Sequence, residues 1–229
     1  MGTPKRAVLG IAGALVVMMP VSVAKADGEA EITHLYREDA AADFLVPEGD
    51  CGPARSQVGV GGHQHFFKTN TAPLVHNVQL SVSIQLFDCE GQFVIGAEGI
   101  DATPQPFNIA KFLSSTRINT TIEACQTFPG PGECFPVEVH LKFRGVGRAD
   151  IDRNDTDIDE PDCRIIEHDW TAVRNAKVWG TISYTLPGQE PRTLHVDTDD
   201  LGPFGATLRS ASEFNYFKGS SGSCIEITG

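Results

Sequence analysis

The chain is 229 residues long, 41% hydrophobic and 21% charged, a composition that builds a globular core and excludes a disordered tail protein. Asp and Glu number 30 against 18 Lys and Arg, for a formal charge of −12. So acidic a surface repels phosphate backbones, whose binding depends on Lys and Arg displacing counterions, and nucleic acid is excluded as a partner.

Lys5 and Arg6 precede an apolar run from Ala7 to Val23, and Ala24-Lys25-Ala26 supplies the small-x-small pattern that a signal peptidase accepts. Gly10, Gly13 and Pro20 weaken that run as a helix, and crossing a bilayer takes about 20 apolar residues. The expectation is a signal peptide over 1–26 and one mature domain over 27–229, secreted to the extracellular space or the periplasm, with no membrane contact after cleavage. Removal of Lys5, Arg6 and Lys25 leaves 15 basic against 30 acidic residues.

In the mature part, Glu38 to Phe44 has some helical character, enough for one turn or two. His63-Gln64-His65 on a strand places both imidazoles on one face, as a metal site uses them, with His76 nearby and His195 late in the chain. From Asn77 to Phe87, Val78, Leu80, Val82, Ile84 and Leu86 alternate with Gln79, Ser81, Ser83 and Gln85, the period of a half-buried strand. Asp88-Cys89-Glu90-Gly91 reads as a turn and Gln92 to Ile100 as a returning strand. Ile118 to Ala124, Phe135 to Phe143 and Val178 to Leu186 repeat the alternation. Short strands punctuated by Gly, Pro and Asn predict an all-β domain, an antiparallel β-sandwich of immunoglobulin-like or jelly-roll type.

All six cysteines (Cys51, Cys89, Cys125, Cys134, Cys163 and Cys224) follow the leader, and none forms a CxxC pair, which points to disulfides rather than a thiolate metal site. Cys125 and Cys134 flank the turn-rich Gln126 to Glu133 between two strand-like runs, so a bridge between them would staple a hairpin. The other four cysteines allow three pairings, and three bridges in all are expected.

Besides the histidines, one further stretch carries metal chemistry on paper. Asp150, Asp152, Asn154, Asp155, Asp157 and Asp159 offer oxygen ligands at close spacing, which a calcium loop needs. Asp150, Asp152 and Asn154 match the first three ligand positions of a helix-loop-helix calcium motif, but Asp155 stands where the turn glycine belongs and Pro161 where the bidentate Glu belongs. A solvated acidic loop is the plainer reading. Trp170 and Trp179 offer a sugar-stacking platform or two core positions. There is no Gly-x-Ser-x-Gly elbow and no phosphate loop, so hydrolase and nucleotide chemistry find no support.

The run of Ala42-Asp43-Phe44, Asp50-Cys51, Val82 to Gly91, Val137 to Leu141, Gly145 to Arg148, Pro161 to Arg164 and Val178 to Ser183 resembles a group of exported bacterial proteins with one cysteine-bearing β domain. That resemblance implies compartment and fold class, and no activity. Locally, Gly62-His63-Gln64-His65 with Phe67 and Asn70-Thr71, and His195 with Asp199-Asp200-Leu201-Gly202 and Cys224, is similar to the copper-zinc superoxide dismutases. This second resemblance implies copper on His63, His65 and His195 in a disulfide-bearing β-sandwich. The zinc loop of that family has no counterpart, since only His76 follows the His-x-His strand at short range. The sequence thus predicts an exported binding or interaction module for an unknown extracellular ligand or protein, with calcium as the one candidate stabilising ion and without catalytic machinery. The alternative is a dismutase-like metal oxidoreductase.

Overall fold

The two-residue rhythm of the sequence organises nearly everything in the computed structural model, which describes residues 30–46, 56–101, 107–160 and 163–219. The expected signal peptide, Cys51 and Cys224 lie outside the described residues. Ten strands follow in order: β1 (Glu31–Val46), β2 (Ser56–Thr69), β3 (Val75–Phe87), β4 (Phe93–Asp101), β5 (Ser115–Phe128), β6 (Cys134–Gly145), β7 (Asp150–Glu160), β8 (Cys163–Tyr184), β9 (Arg192–Val196) and β10 (Leu201–Gly219). All pairings are antiparallel, as the alternation predicts.

Hydrogen-bonded neighbours run β10–β1–β2–β3–β4–β5–β6–β8, and β8 also pairs with β10, so the path returns to its first strand. The long β8 makes this return possible by changing partners along its length. Residues 163–173 of β8 lie between β7 and β10; residues 176–184 pair with β6, and 180–184 of these lie between β6 and β9.

One face of every long strand except β7 supplies the core. On β3 the buried set is Val78, Leu80, Val82, Ile84 and Leu86; on β6 it is Phe135, Val137, Val139, Leu141 and Phe143. Ile118, Ile122 and Ala124 of β5, Val178, Ile182 and Tyr184 of β8 and Leu208 of β10 join it, as do Phe44 and Val46 of β1 and Val58 and Val60 of β2. Burial of each large aliphatic stabilises by about 1.5–3 kcal/mol, largely offset by the ordering of the chain.

Two segments differ from the sequence reading. Glu38 to Phe44 is strand, the middle of β1, rather than a helical turn. Glu38, Ala40, Ala42 and Phe44 all point to the buried side, and cross-strand pairing on both edges overrides the modest helix propensity of three alanines. The acidic stretch from Asp150 is β7, not a loop: its backbone donors and acceptors are taken by β8 from Asp150↔Val173 to Glu160↔Cys163.

Cys125 and Cys134 form the expected disulfide, across the β5–β6 register pair. Cys89 and Cys163 are each disulfide-bonded as well. Disulfides of this kind suit an oxidising compartment.

Candidate functional site

Between β4 and β5, residues 107–114 form a strap that dips to the buried side of the sheet and contributes Phe107, Ile109 and Leu113 to the core. Glycine admits it. A Cβ on Gly62 would stand 2.5 Å from the Phe107 ring, and one on Gly145 would stand 2.2 Å from the Leu113 carbonyl oxygen. The strap turns on Phe112 (φ 59°) and Leu113 (φ 53°), left-handed conformations that cost side-chain-bearing residues about 1–3 kcal/mol each. Surrounding contacts hold them there: Arg174 Nη1 donates to the Phe112 carbonyl at 3.0 Å, and the Gly145 N–H donates to the Ser114 carbonyl at 2.9 Å.

Under the strap lies a cleft of about 580 Å³. Tyr36 and Glu38 of β1, Ser210 of β10, Trp170, Ala172 and Arg174 of β8, and Ile151 of β7 form its floor and one wall. Ile109 to Leu113 of the strap and Gly147 to Ala149 of the β6–β7 turn form the rest. The register explains the convergence. Glu38 pairs with Ser210 across β1–β10, and Ser210 pairs with Ala172 across β10–β8, so side chains far apart in sequence share one face.

Glu38 is 7% exposed and forms no ion pair among the described residues. Its carboxyl instead accepts three hydrogen bonds: from the Tyr36 hydroxyl at 2.7 Å, from Gln64 Nε2, and from the Ile109 N–H of the strap at 3.2 Å. Ser210 Oγ donates to the Tyr36 oxygen at 3.1 Å, and His76 Nε2 lies 3.3 Å from Gln64 Oε1. Burial pushes the Tyr36 phenol above its ordinary value; the Ser210 hydrogen bond pulls it part of the way back, and Glu38 raises it again. Tyr36 therefore stays protonated at neutral pH and serves as a fixed donor. Such a chain of satisfied groups rigidifies the floor, because each unpaired member would carry the full desolvation penalty.

The histidines singled out in the sequence lie elsewhere. His63 and His65 project from the opposite face of β2, where His63 Nδ1 bonds Asp39 and its Nε2 faces His65 Nδ1 at 3.3 Å; His65 Nε2 in turn meets Asn77 Nδ2 at 3.0 Å. Partial burial lowers the His65 pKa, and the charges of His63, Arg37 and His76 add to the effect. His195 sits on β9, opposite Thr181 of β8, and is not brought to that pair. Among the described residues no group of three or more His, Cys, Asp or Glu side chains is placed to hold a metal ion.

On β7 the acidic residues divide by face. Asp150, Asp152 and Asn154 share one side of the strand, where successive members are about 7 Å apart. Asp155, Asp157 and Asp159 share the other, engaged with His168 and Arg164. Trp179 is 40% exposed, away from the cleft, while Trp170 lines it.

Of the cleft residues, sequence reasoning marked only Trp170 as a candidate for binding; Gly147 and Arg148 entered solely through the family resemblance. Glu38 had a usable signal, a charged residue in phase with Ala40, Ala42 and Phe44; Arg148, Arg174 and Lys111 had none, since only the pairing brings them together.

No protein-family model and no curated protein matches the chain. Among solved structures, an acetoacetate decarboxylase-like enzyme from Sphingomonas wittichii RW1 aligns over 91% of this chain and 98% of its own at 12% identity, with a TM-score of 0.20, too low to relate the two folds.

Proposed function

We propose that the chain is an exported binding protein that takes a small, largely apolar molecule into the cleft beneath the 107–114 strap. The observation that carries this reading is the cleft itself. Its 580 Å³ falls in the range of small-molecule sites, and its walls are apolar except for a few convergent polar groups at the Tyr36–Glu38–Ser210 floor and the basic rim. The floor is already hydrogen-bonded, so it suits orientation of a ligand rather than chemistry upon it. The circuit of pairings that closes through β8 and β10 supports a barrel over two stacked sheets, with the strap across its interior. The leader and the disulfides support secretion.

The test uses the uncharged probe N-phenyl-1-naphthylamine. Its fluorescence should rise on addition of the protein in a saturable, one-to-one manner. Ala172→Phe, which fills the floor beside Trp170, should abolish the rise while leaving the far-ultraviolet circular dichroism of the β fold unchanged. Saturable binding that survives in a folded Ala172→Phe protein, or no saturable binding at all, would refute the reading.

A further inference from the structure

The rim of the cleft is out of character with the rest of the molecule. On a chain of formal charge −12, three cations, Lys111, Arg148 and Arg174, converge on one opening, and among the described residues none of them forms an ion pair. The nearby acids do not neutralise them. Asp150 and Asp152 flank the cleft residue Ile151, but successive side chains of a strand point to opposite faces, so both carboxylates lie on the other side of β7. Glu38 is committed below to Tyr36, Gln64 and the Ile109 N–H.

Arg174 adds a second and independent sign. One arm of its guanidinium is spent on the Phe112 carbonyl, while its Nε, packed against Gly145, is buried and has no hydrogen-bond partner among the described residues. A buried donor without an acceptor carries a desolvation penalty and calls for a partner. Planar carboxylates are what a guanidinium fork matches best, and a positive rim on an acidic protein concentrates anions at one place.

We infer that the ligand of this cleft is a small organic acid, its ring-bearing apolar body against Trp170 and the strap, its carboxylate at the rim among Arg148, Arg174 and Lys111. The inference rests on the reading of the cleft as a binding site and adds to it the charge of the occupant. Trp170 and Tyr36 supply flat surfaces that suit an aromatic body, and Ser210 Oγ, which donates to Tyr36 and accepts no hydrogen bond among the described residues, can accept from a donor on it.

Calorimetric titration of the full mature protein with 2-naphthoate and with its uncharged isostere 2-naphthamide tests it. The acid should bind roughly tenfold or more tightly than the amide at low ionic strength, the worth of one charge-assisted hydrogen bond. Arg148→Gln and Lys111→Gln change exposed side chains and should each cut the affinity for the acid several-fold more than the affinity for the amide. Arg174→Gln should remove most of the preference, and a melting temperature measured alongside separates loss of the ligand contact from loss of the strap anchor. Equal affinity for acid and amide, both lost in Ala172→Phe, would overturn the inference and leave the cleft as a neutral-ligand site. A preference for the acid that persists in all three rim variants would overturn it too. Failure of both compounds and of N-phenyl-1-naphthylamine to bind would remove the underlying reading together with it.

Discussion

Asp43 is the one carboxylate of β1 whose burial is not compensated. It is 6% exposed, it sits at the irregularity between Ala42 and Phe44 where β1 slips against β10, and neither oxygen has a hydrogen-bond partner among the described residues. A Cβ on Gly202 would meet Asp43 Oδ2 at 2.2 Å, so backbone rather than water covers the group. Burial alone raises its pKa from 3.8 to about 6. Well below pH 3.8 the carboxyl is neutral in both folded and unfolded chains and carries no charge penalty. As pH rises toward 6 the unfolded chain loses its proton first, and stability drains away; above about 7 the penalty is complete at about 3 kcal/mol. An asparagine side chain at this position would keep the shape and remain neutral at every pH. Asp43→Asn should therefore stabilise by about 3 kcal/mol at pH 8 and by about 1 kcal/mol at pH 4.5, and leave stability unchanged at about pH 2.5. Urea denaturation followed by tryptophan fluorescence of both proteins at the three pH values measures the differences directly. A gain that does not depend on pH, or a loss at pH 8, would refute the account of Asp43 as a buried, unpartnered charge.

Three further outcomes are expected. Glu38→Gln places an amide donor against the donors already aimed at that carboxyl, and should lower stability by about 2–4 kcal/mol, read from the urea midpoint. Gly62→Ala drives a methyl group into the Phe107 ring and should destabilise by about 1–3 kcal/mol, with increased proteolysis in the strap as a local readout. The His65 ring should titrate below 6.5 in NMR spectra of the folded protein; its contribution to stability is then full above pH 6.5 and is lost as pH falls through the folded pKa, and Asp39→Asn should leave the direction of the His65 shift unchanged because burial, not Asp39, sets it.

The strands announced themselves where one face is wholly apolar and the other wholly polar, as in Val78 to Leu86 and Phe135 to Phe143. Alternation fails as a signal where composition hides it. In β1 the buried phase is Glu38, Ala40 and Ala42, too small or too polar to read as core, and local helix propensity prevails in the reading but not in the fold. In β7 nearly every residue is exposed, so no hydrophobic period exists; the strand is held by its backbone pairing with β8 and by the ion pairs of Asp155 with His168 and of Asp157 and Asp159 with Arg164. The disulfide of Cys125 and Cys134 was legible because its two ends close a short turn. The cleft was not, because Tyr36 and Ser210 are 174 residues apart and meet only through the pairing of β1 with β10.

That same pairing sets an order of events. Glu31 of the first strand lies opposite Phe217 of the last, and β10 is also the strand that joins β1 to β8. No ribosome or translocation channel can deliver both partners early. The seam must wait until β10 has been made, and contacts so remote in sequence make for slow maturation, on the millisecond-to-second scale of high-contact-order β proteins. Until then β1 presents an unpaired edge, and truncation within β10 would leave that edge permanently open to other chains.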